Sequence, residues 1–284
     1  MSVATRRVQV RPFDIDLSFG IQRFGAFDPT VRRERGLLRK AFDTADGPCV
    51  AEVRAEEDGV TLGAEGARAN ETVEDFAAAL AQDDGHGAFA PESPLLARLH
   101  RANHGMRLVR VPWRFDLAAV AVLQQRVTTT EAMQQWGRIV RKYGPRAGDE
   151  LRAFPSAERV AQMASWQFEE LGVDPKRART MVVLARELVR RNTLAETDLA
   201  LVRARLAAVR GVGPWTTDMI LGFAYGDPDA LPLGDLHLPH LITWALARER
   251  PGSDARMVQL LEPYRGHRFR VVRLLWVGGV KRPG

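Results

Sequence analysis

DLALVRARLAAVRGVGPWTTDMILGFA, residues 198–224, carries two apolar stripes at helical spacing on either side of a short glycine turn. Leu199, Val202, Leu206 and Val209 recur as one face of a helix, and Met219, Ile220 and Phe223 as the buried face of a second. Between them Arg210-Gly211-Val212-Gly213 permits positive φ at either glycine, and Pro214 suits the first helical position. Such a hairpin leaves backbone N–H groups uncovered at a helix N-terminus, where a phosphate can be held without its base being read. The same residues would equally serve an ordinary helix–turn–helix joint, since paired glycines are common in turns.

Downstream, Ala230-Leu231-Pro232-Leu233-Gly234-Asp235-Leu236-His237-Leu238 is an apolar approach that delivers one carboxylate to the start of a further helix, expected to run to about Arg248. An Asp there is ordinarily a cap, and Pro239 could shift the cap to Leu238. Upstream, helical spacing continues from about Pro112: Asp116 to Gln125, Thr130 to Tyr143, Ala157 to Leu171 closed by Gly172, and Pro175 to Arg191 with Asp174 as N-cap. The first hundred residues differ. Val50, Ala51, Val53 and Ala55 lead through Glu57-Asp58-Gly59 to Val60 and Leu62, which reads as a hairpin. VQVRPFDIDLSFGIQRFG offers one or two further strands, and Asn70 caps a helix with Val73, Phe76, Ala77 and Leu80 on one face. The fold class is therefore α+β: a small α/β domain of antiparallel sheet plus helices over 1–108, then an all-helical domain over 109–284.

Charge follows the same division. Residues 1–100 hold 12 basic and 17 acidic side chains, whereas residues 101–284 hold 29 and 18, so the helical part is the one suited to a polyanion. Only four of the 41 basic residues are lysines: Lys40, Lys142, Lys176 and Lys281. Cys49 is alone, which excludes an internal disulfide framework, a zinc site built on several thiolates and a four-cysteine iron–sulfur cluster. A reducing, cytoplasmic setting is expected, nucleoid-associated in a bacterium. Neither a membrane-spanning run nor a signal-peptide pattern is present in the sequence. His237, His240 and His267 are too irregularly spaced to form a metal site.

LAAVRGVGPWTTDMI followed by LPLGDLHL resembles the helix-hairpin-helix DNA glycosylases, which carry a Gly/Pro-rich loop and an essential Asp. With HGMRLVRVPWRFDLAAVAVLQQRVT before the hairpin and LLEPYRGHRFRVVRLLW near the end, the chain is similar to 3-methyladenine DNA glycosylase II of alkylation repair. The resemblance implies that Asp235 is the catalytic residue. It implies a base pocket at Trp215, Met219 and Tyr264, and a DNA-binding hairpin at Arg210, Gly211, Val212, Gly213 and Thr216. The carbonyls of Ala207, Val209 and Val212 would be ligands of a Na+ or K+ ion, with no cofactor required for chemistry. Where bifunctional members place a Lys, two residues past the hairpin, this chain has Trp215, so base removal without strand cleavage is implied. Where the family usually has Gln followed by an apolar wedge, Gln125-Arg126-Val127 stands, making Arg126 the plug that fills the gap left by a flipped nucleotide, or Val127 if the register slips by one.

The partner implied is double-stranded DNA with alkylated bases, bound by a monomer without a membrane. Two function classes stand side by side: a glycosylase for alkylated or other damaged bases, and a helix-hairpin-helix protein that binds DNA without chemistry. A four-cysteine adenine glycosylase is excluded by the cysteine count.

Overall fold

Alternating apolar residues and turn glycines build the first layer. In the computed structural model, which describes residues 2–10, 12–26 and 28–280, strands β1 (Val3–Val8), β2 (Val31–Glu34), β3 (Leu37–Thr44), β4 (Gly47–Glu56) and β5 (Gly59–Gly66) form one antiparallel sheet ordered β1-β5-β4-β3-β2. The hairpin read from Glu57-Asp58-Gly59 joins β4 to β5, with Glu56 opposite Gly59. Gly59 has φ +145°, and a Cβ on it would lie 2.2 Å from the Val8 carbonyl oxygen, so glycine is required there.

The stretch after β1 corrects the strand expectation. Asp14 accepts the Leu17 N–H at 2.9 Å and starts helix α1 (Ile15–Phe19), which buries Ile15 and Phe19 at i and i+4. Helix α2 (Ala69–Ala81) buries Val73, Phe76, Ala77 and Leu80 as expected, but it begins one residue before Asn70, with Arg68 at its N-cap at φ +56°. Helix α3 (Pro94–Ala102) completes this half.

The second half is a helical array: α4 (Arg114–Leu123), α5 (Thr129–Tyr143), α6 (Ala157–Gln162), α7 (Trp166–Glu169), α8 (Pro175–Arg190), α9 (Leu199–Ala207), α10 (Pro214–Ala224), α11 (Leu238–Ala247), α12 (Asp254–Leu261) and α13 (Arg268–Val277). The single helix expected over 157–171 is broken into α6 and α7 because Met163 turns extended and the Gln167 side chain accepts the Ala164 N–H. A two-residue ribbon, β6 (Arg146–Ala147) with β7 (Leu151–Arg152), also lay outside the expectation. Its Ala147 and Leu151, with Ala153, pack on Ala41 and Val50 of the sheet. Among the described residues no helix is long and apolar enough to cross a membrane.

Sheet and helices share one apolar core running from Val8 to Leu275, and buried charge fixes how they meet. Lys40 of β3, 2% exposed, donates to Asp116 of α4 at 2.6 Å and to Thr30 Oγ1 at 2.7 Å. Asp28 accepts from Thr30 and from the Trp136 indole of α5, and Trp136 stacks on Phe154 with ring centroids 4.5 Å apart. Burial pushes the Asp116 carboxyl up to about 6 despite Lys40. At the other end, α13 is strapped to the N-terminal half by two buried arginines. Arg270 pairs with Asp84 at 2.9 Å, and Arg273 donates to the Leu17 carbonyl at 2.8 Å. Burial opposes the Asp84 charge, yet Arg270 and the Leu108 amide carry its pKa below the ordinary value.

Lys40→Met, which strands the Asp116 carboxylate, should cost about 3–5 kcal/mol in urea unfolding at pH 8. The loss should shrink at pH 5, where the orphaned carboxyl takes up a proton. Lys40→Met combined with Asp116→Leu should recover most of it; a double variant as weak as the single one would remove this pair from the junction.

Candidate active site

The glycine hairpin joins a helix capped by a side chain to one that begins at Gly213 without such a cap. Asp198 accepts the N–H groups of Ala200 and Leu201 to start α9, whose Val202 and Leu206 are buried together with Val209. The chain then turns tightly, Val212 N–H donating to the Val209 carbonyl at 3.0 Å. The two glycines differ. Gly211 has φ +92°, and a Cβ there would sit 2.3 Å from Thr180 Oγ1 of α8, so conformation and packing both demand glycine. Gly213 has an ordinary φ of −94°, and a Cβ on it would meet nothing within 4 Å. Inside the free protein nothing requires glycine at 213. Gly213, Gly211 and Arg210 are exposed, whereas the Val212 side chain is buried. Thr216 is 2% exposed, and its Oγ1 accepts from Gln125, so its side chain lies beneath the hairpin.

The loop from α10 to α11 is held by carboxylates. Arg203 of α9 bridges Asp218 at 2.7 Å and Asp227 at 3.3 Å; Asp229 accepts the Gly266 N–H and pairs with Arg268. Burial raises the Asp218 carboxyl against the pull of Arg203. Ala230, Leu231 and Pro232 then sink into the core, and the chain re-emerges through exposed Leu233 and Gly234 to Asp235. Asp235 is half-buried. Its Oδ1 accepts the N–H groups of His237 and Leu238, both at 2.8 Å, capping α11 from two residues before the N-cap position. Its Oδ2 accepts the indole N–H of Trp215 at 2.8 Å. A carboxylate offers about four lone-pair sites, so three are engaged and one, on Oδ2, stays open. The cap reading and the reactive reading of Asp235 thus use different oxygens.

Trp215 and Met219, four residues apart on α10, are both half-buried on one face. Leu236, immediately after Asp235, is 76% exposed. It escaped sequence reasoning because an apolar residue beside Leu231 and Leu238 reads as core.

The turn between α4 and α5 faces the hairpin. Gln125 Nε2 donates to the Gly211 carbonyl at 3.0 Å and to Thr216 Oγ1 at 2.8 Å. Buried Arg177 of α8 donates to the Leu123 carbonyl at 2.6 Å and to Gln135 and Glu131 of α5. Val127 packs against the core, and Thr128 caps α5. Arg126 projects: it is exposed, at φ +58°, with no side-chain hydrogen bond or ion pair among the described residues. The arginines proved more structural than their number suggested, since Arg186 donates to the Ala161 carbonyl and Arg190 and Arg191 both bind Glu187.

Residues 119–265, just over half of the chain, match the model of the HhH-GPD superfamily base excision DNA repair proteins. The chain belongs to the HhH-GPD superfamily. A relative from Mycobacterium tuberculosis, named a probable bifunctional transcriptional activator/DNA repair enzyme AlkA, is 36% identical over 140 residues, 47% of this chain and 28% of its own length. A DNA-3-methyladenine glycosylase from Bacillus subtilis is 23% identical over 194 residues, 66% of this chain and 64% of the relative. The chain thus spans less than two thirds of either relative. The solved 3-methyladenine DNA glycosylase from Archaeoglobus fulgidus shares the fold at a TM-score of 0.75 and 18% identity, covering 98% of both chains.

The remaining residues expected in the site of this HhH-GPD chain have partners of their own. Tyr264 lies in a short turn, 6.2 Å from Phe89 between ring centroids, and burial raises its hydroxyl pKa. No hydrogen bond or ring contact among the described residues joins it to Trp215 or Asp235. His267 also packs on Phe89, and His86 on His100; burial lowers the pKa of all three histidines. No group of His, Cys, Asp or Glu able to hold a metal occurs among the described residues. Of the lysines, Lys40 is buried, Lys142 pairs with Glu170, Lys176 is exposed, and Lys281 lies outside the described residues.

The unequal glycines give a stability test. Gly211→Ala should destabilise by more than about 1–2 kcal/mol, from the left-handed backbone plus the collision with Thr180. Gly213→Ala should stay within about 1 kcal/mol, because loss of a favourable N-cap and a less flexible unfolded chain oppose one another. Equal losses in denaturant titrations would contradict the geometry.

Proposed function

We propose that the chain is a monofunctional DNA glycosylase that hydrolyses the N-glycosidic bond of alkylated bases, of the 3-methyladenine and 7-methylguanine class, in double-stranded DNA, acting as a monomer. The observation that carries this reading is the carboxylate of Asp235, fixed by three donors with a single Oδ2 lone pair left open, 2.8 Å from the indole nitrogen of Trp215. Relatives named for DNA repair and for 3-methyladenine excision support it.

A base inside a duplex is out of reach, so the nucleotide must be flipped out and the unstacking cost offset by phosphate and pocket contacts. The exposed Gly211–Gly213 backbone, with the open space at Gly213, suits close approach of a phosphate. The hairpin carbonyls of Ala207, Val209 and Val212 are neutral hard donors of the kind that hold Na+ or K+. The Val209 oxygen already accepts one N–H and keeps a second lone pair for such an ion, whose charge would add to the attraction for phosphate. An N-alkylated purine is positively charged. Its C1′–N bond breaks with the electron pair going to the base, which leaves neutral, and the positive charge passes to the sugar. Asp235 stabilises that charge; water then bonds to C1′ and gives its proton to the open side of Oδ2, from which it returns to solvent. The faces of Trp215 and the side chain of Met219 would receive the base, cation–π attraction contributing about 0.5–2 kcal/mol for a cationic lesion. With Trp215 where a Schiff-base lysine would stand, no strand cleavage accompanies release.

Arg126 is the residue we assign to the gap left by the flipped nucleotide. Gln125 is tied to the hairpin and Val127 to the core, whereas the Arg126 guanidinium is free to stack on base faces.

Asp235→Asn should slow release of 7-methylguanine from alkylated duplex by about 10²–10⁴-fold while DNA binding changes little, and borohydride should trap no adduct with the wild-type chain. Release at the wild-type rate would overturn the role of Asp235; a trapped adduct would overturn the monofunctional reading. Separately, Arg126→Ala should weaken binding to DNA carrying an abasic-site analogue more than binding to intact duplex, with Val127→Ala as comparison. Equal losses on both DNAs would make Arg126 a phosphate contact instead.

A further inference from the structure

The loop that carries Asp235 is exposed on both sides of it: Leu233, Gly234, Leu236 and His237 all face solvent. On the downstream side the Asp235 carboxylate holds its own backbone by capping His237 and Leu238. The same carboxylate must also meet a changing charge during the reaction, so the backbone needs a second, independent hold. On the upstream side stands Gly234, at φ +85° with open space around its missing Cβ, the most freely rotating kind of position in a chain. Its N–H donates to Asp254 Oδ2 at 2.9 Å.

Asp254 is well placed to act as a fixed post. It is the first residue of α12, a helix started by Ser253, whose Oγ accepts the Arg256 N–H at 3.2 Å, and anchored by fully buried Met257. Ser253 already caps the helix. No ion pair to Asp254 is recorded among the described residues, and its second oxygen, Oδ1, is closed off from solvent without a hydrogen-bond partner. Such an oxygen costs stability. The one hydrogen bond recorded for this side chain goes to the residue before Asp235.

We propose that Asp254 is a positioning residue for the reaction: by holding the Gly234 amide it fixes the peptide that carries Asp235, so that the open Oδ2 lone pair meets the sugar without a search. The inference rests on the glycosylase reading of Asp235. It assigns Asp254 no contact with DNA, so ground-state binding is untouched and the chemical step alone suffers when the bond is lost. A displacement of about 1 Å at a reacting group can cost up to about 100-fold in rate. The role needs an acceptor oxygen, not a negative charge, so an amide in place of the carboxylate keeps it.

The experiment compares Asp254→Ala and Asp254→Asn with the wild-type chain by three measurements: hydrogen exchange at the Gly234 amide, single-turnover release of 7-methylguanine, and affinity for duplex carrying an abasic-site analogue. For Asp254→Ala, faster exchange confined to the 233–236 segment, release slowed by about 10- to 100-fold and unchanged affinity are expected. Asp254→Asn should restore both exchange and release. Unchanged exchange in Asp254→Ala, an unchanged release rate, or an Asp254→Asn variant as slow as Asp254→Ala would each overturn the proposal. A wild-type chain that releases no alkylated base would instead defeat the glycosylase reading, and the exchange rate at Gly234 would still decide whether Asp254 holds the loop.

Discussion

A lysine ammonium and an aspartate carboxylate buried 2.6 Å apart at the meeting of sheet and helices constrain the rest of this molecule. Neither Lys40 nor Asp116 can tolerate burial without the other, and each carries a neighbour: Lys40 holds Thr30, Thr30 holds Asp28, and Asp28 takes the Trp136 indole. One polar chain therefore sets the distance between β3, α4 and α5 while apolar packing fills the space around it. Because α4 leads directly into the Gln125–Val127 turn, the angle at which that turn projects is inherited from this junction. Arg270 and Arg273 make the corresponding closure at the far end, tying the last helix to the loop after α2 and to the end of α1.

The site is assembled by the same means, from loops pinned by single polar bonds to rigid helices. Arg177 and Gln125 make one body of α4, α8 and the hairpin. Arg203, Arg268 and Asp254 pin Asp227, Asp229 and Gly234, successive points of the loop between α10 and α11. Left uncommitted on this frame are the backbone at Gly213, the guanidinium of Arg126 and one lone pair of Asp235. Under the proposed reading, fixing everything around the Asp235 carboxylate means that little reorganisation is needed when charge develops beside it.

Trp215 illustrates how one side chain can serve two ends. Its ring, with Met219, forms a half-buried apolar face, and its N–H edge orients Asp235. The indole nitrogen is a donor only, so a bond to the carboxylate is the arrangement that leaves no polar atom facing the apolar wall.

Much of this was legible in the sequence. Spacing and caps gave the helices, because i, i+3, i+4 periodicity and a residue such as Asp174 act within a few positions of where they stand. The hairpin at 210–213 and the Asp after it were legible for the same local reason. What only the tertiary structure decided involves partners far apart in the chain. Asp14, whose own N–H donates to the distant Gly105 carbonyl at 2.8 Å, caps α1 where a strand was expected. Gln125, 91 residues earlier, claims the Thr216 hydroxyl, and Tyr264 packs beside Phe89, far from it in sequence. Gly211 and Gly213 look alike in sequence, and only the position of Thr180 separates the glycine that packing requires from the one that it does not. A sequence fixes what each residue prefers near itself; which carboxylate oxygen is spent on a cap and which stays open is settled by the fold, which brings Trp215 within 2.8 Å of Asp235.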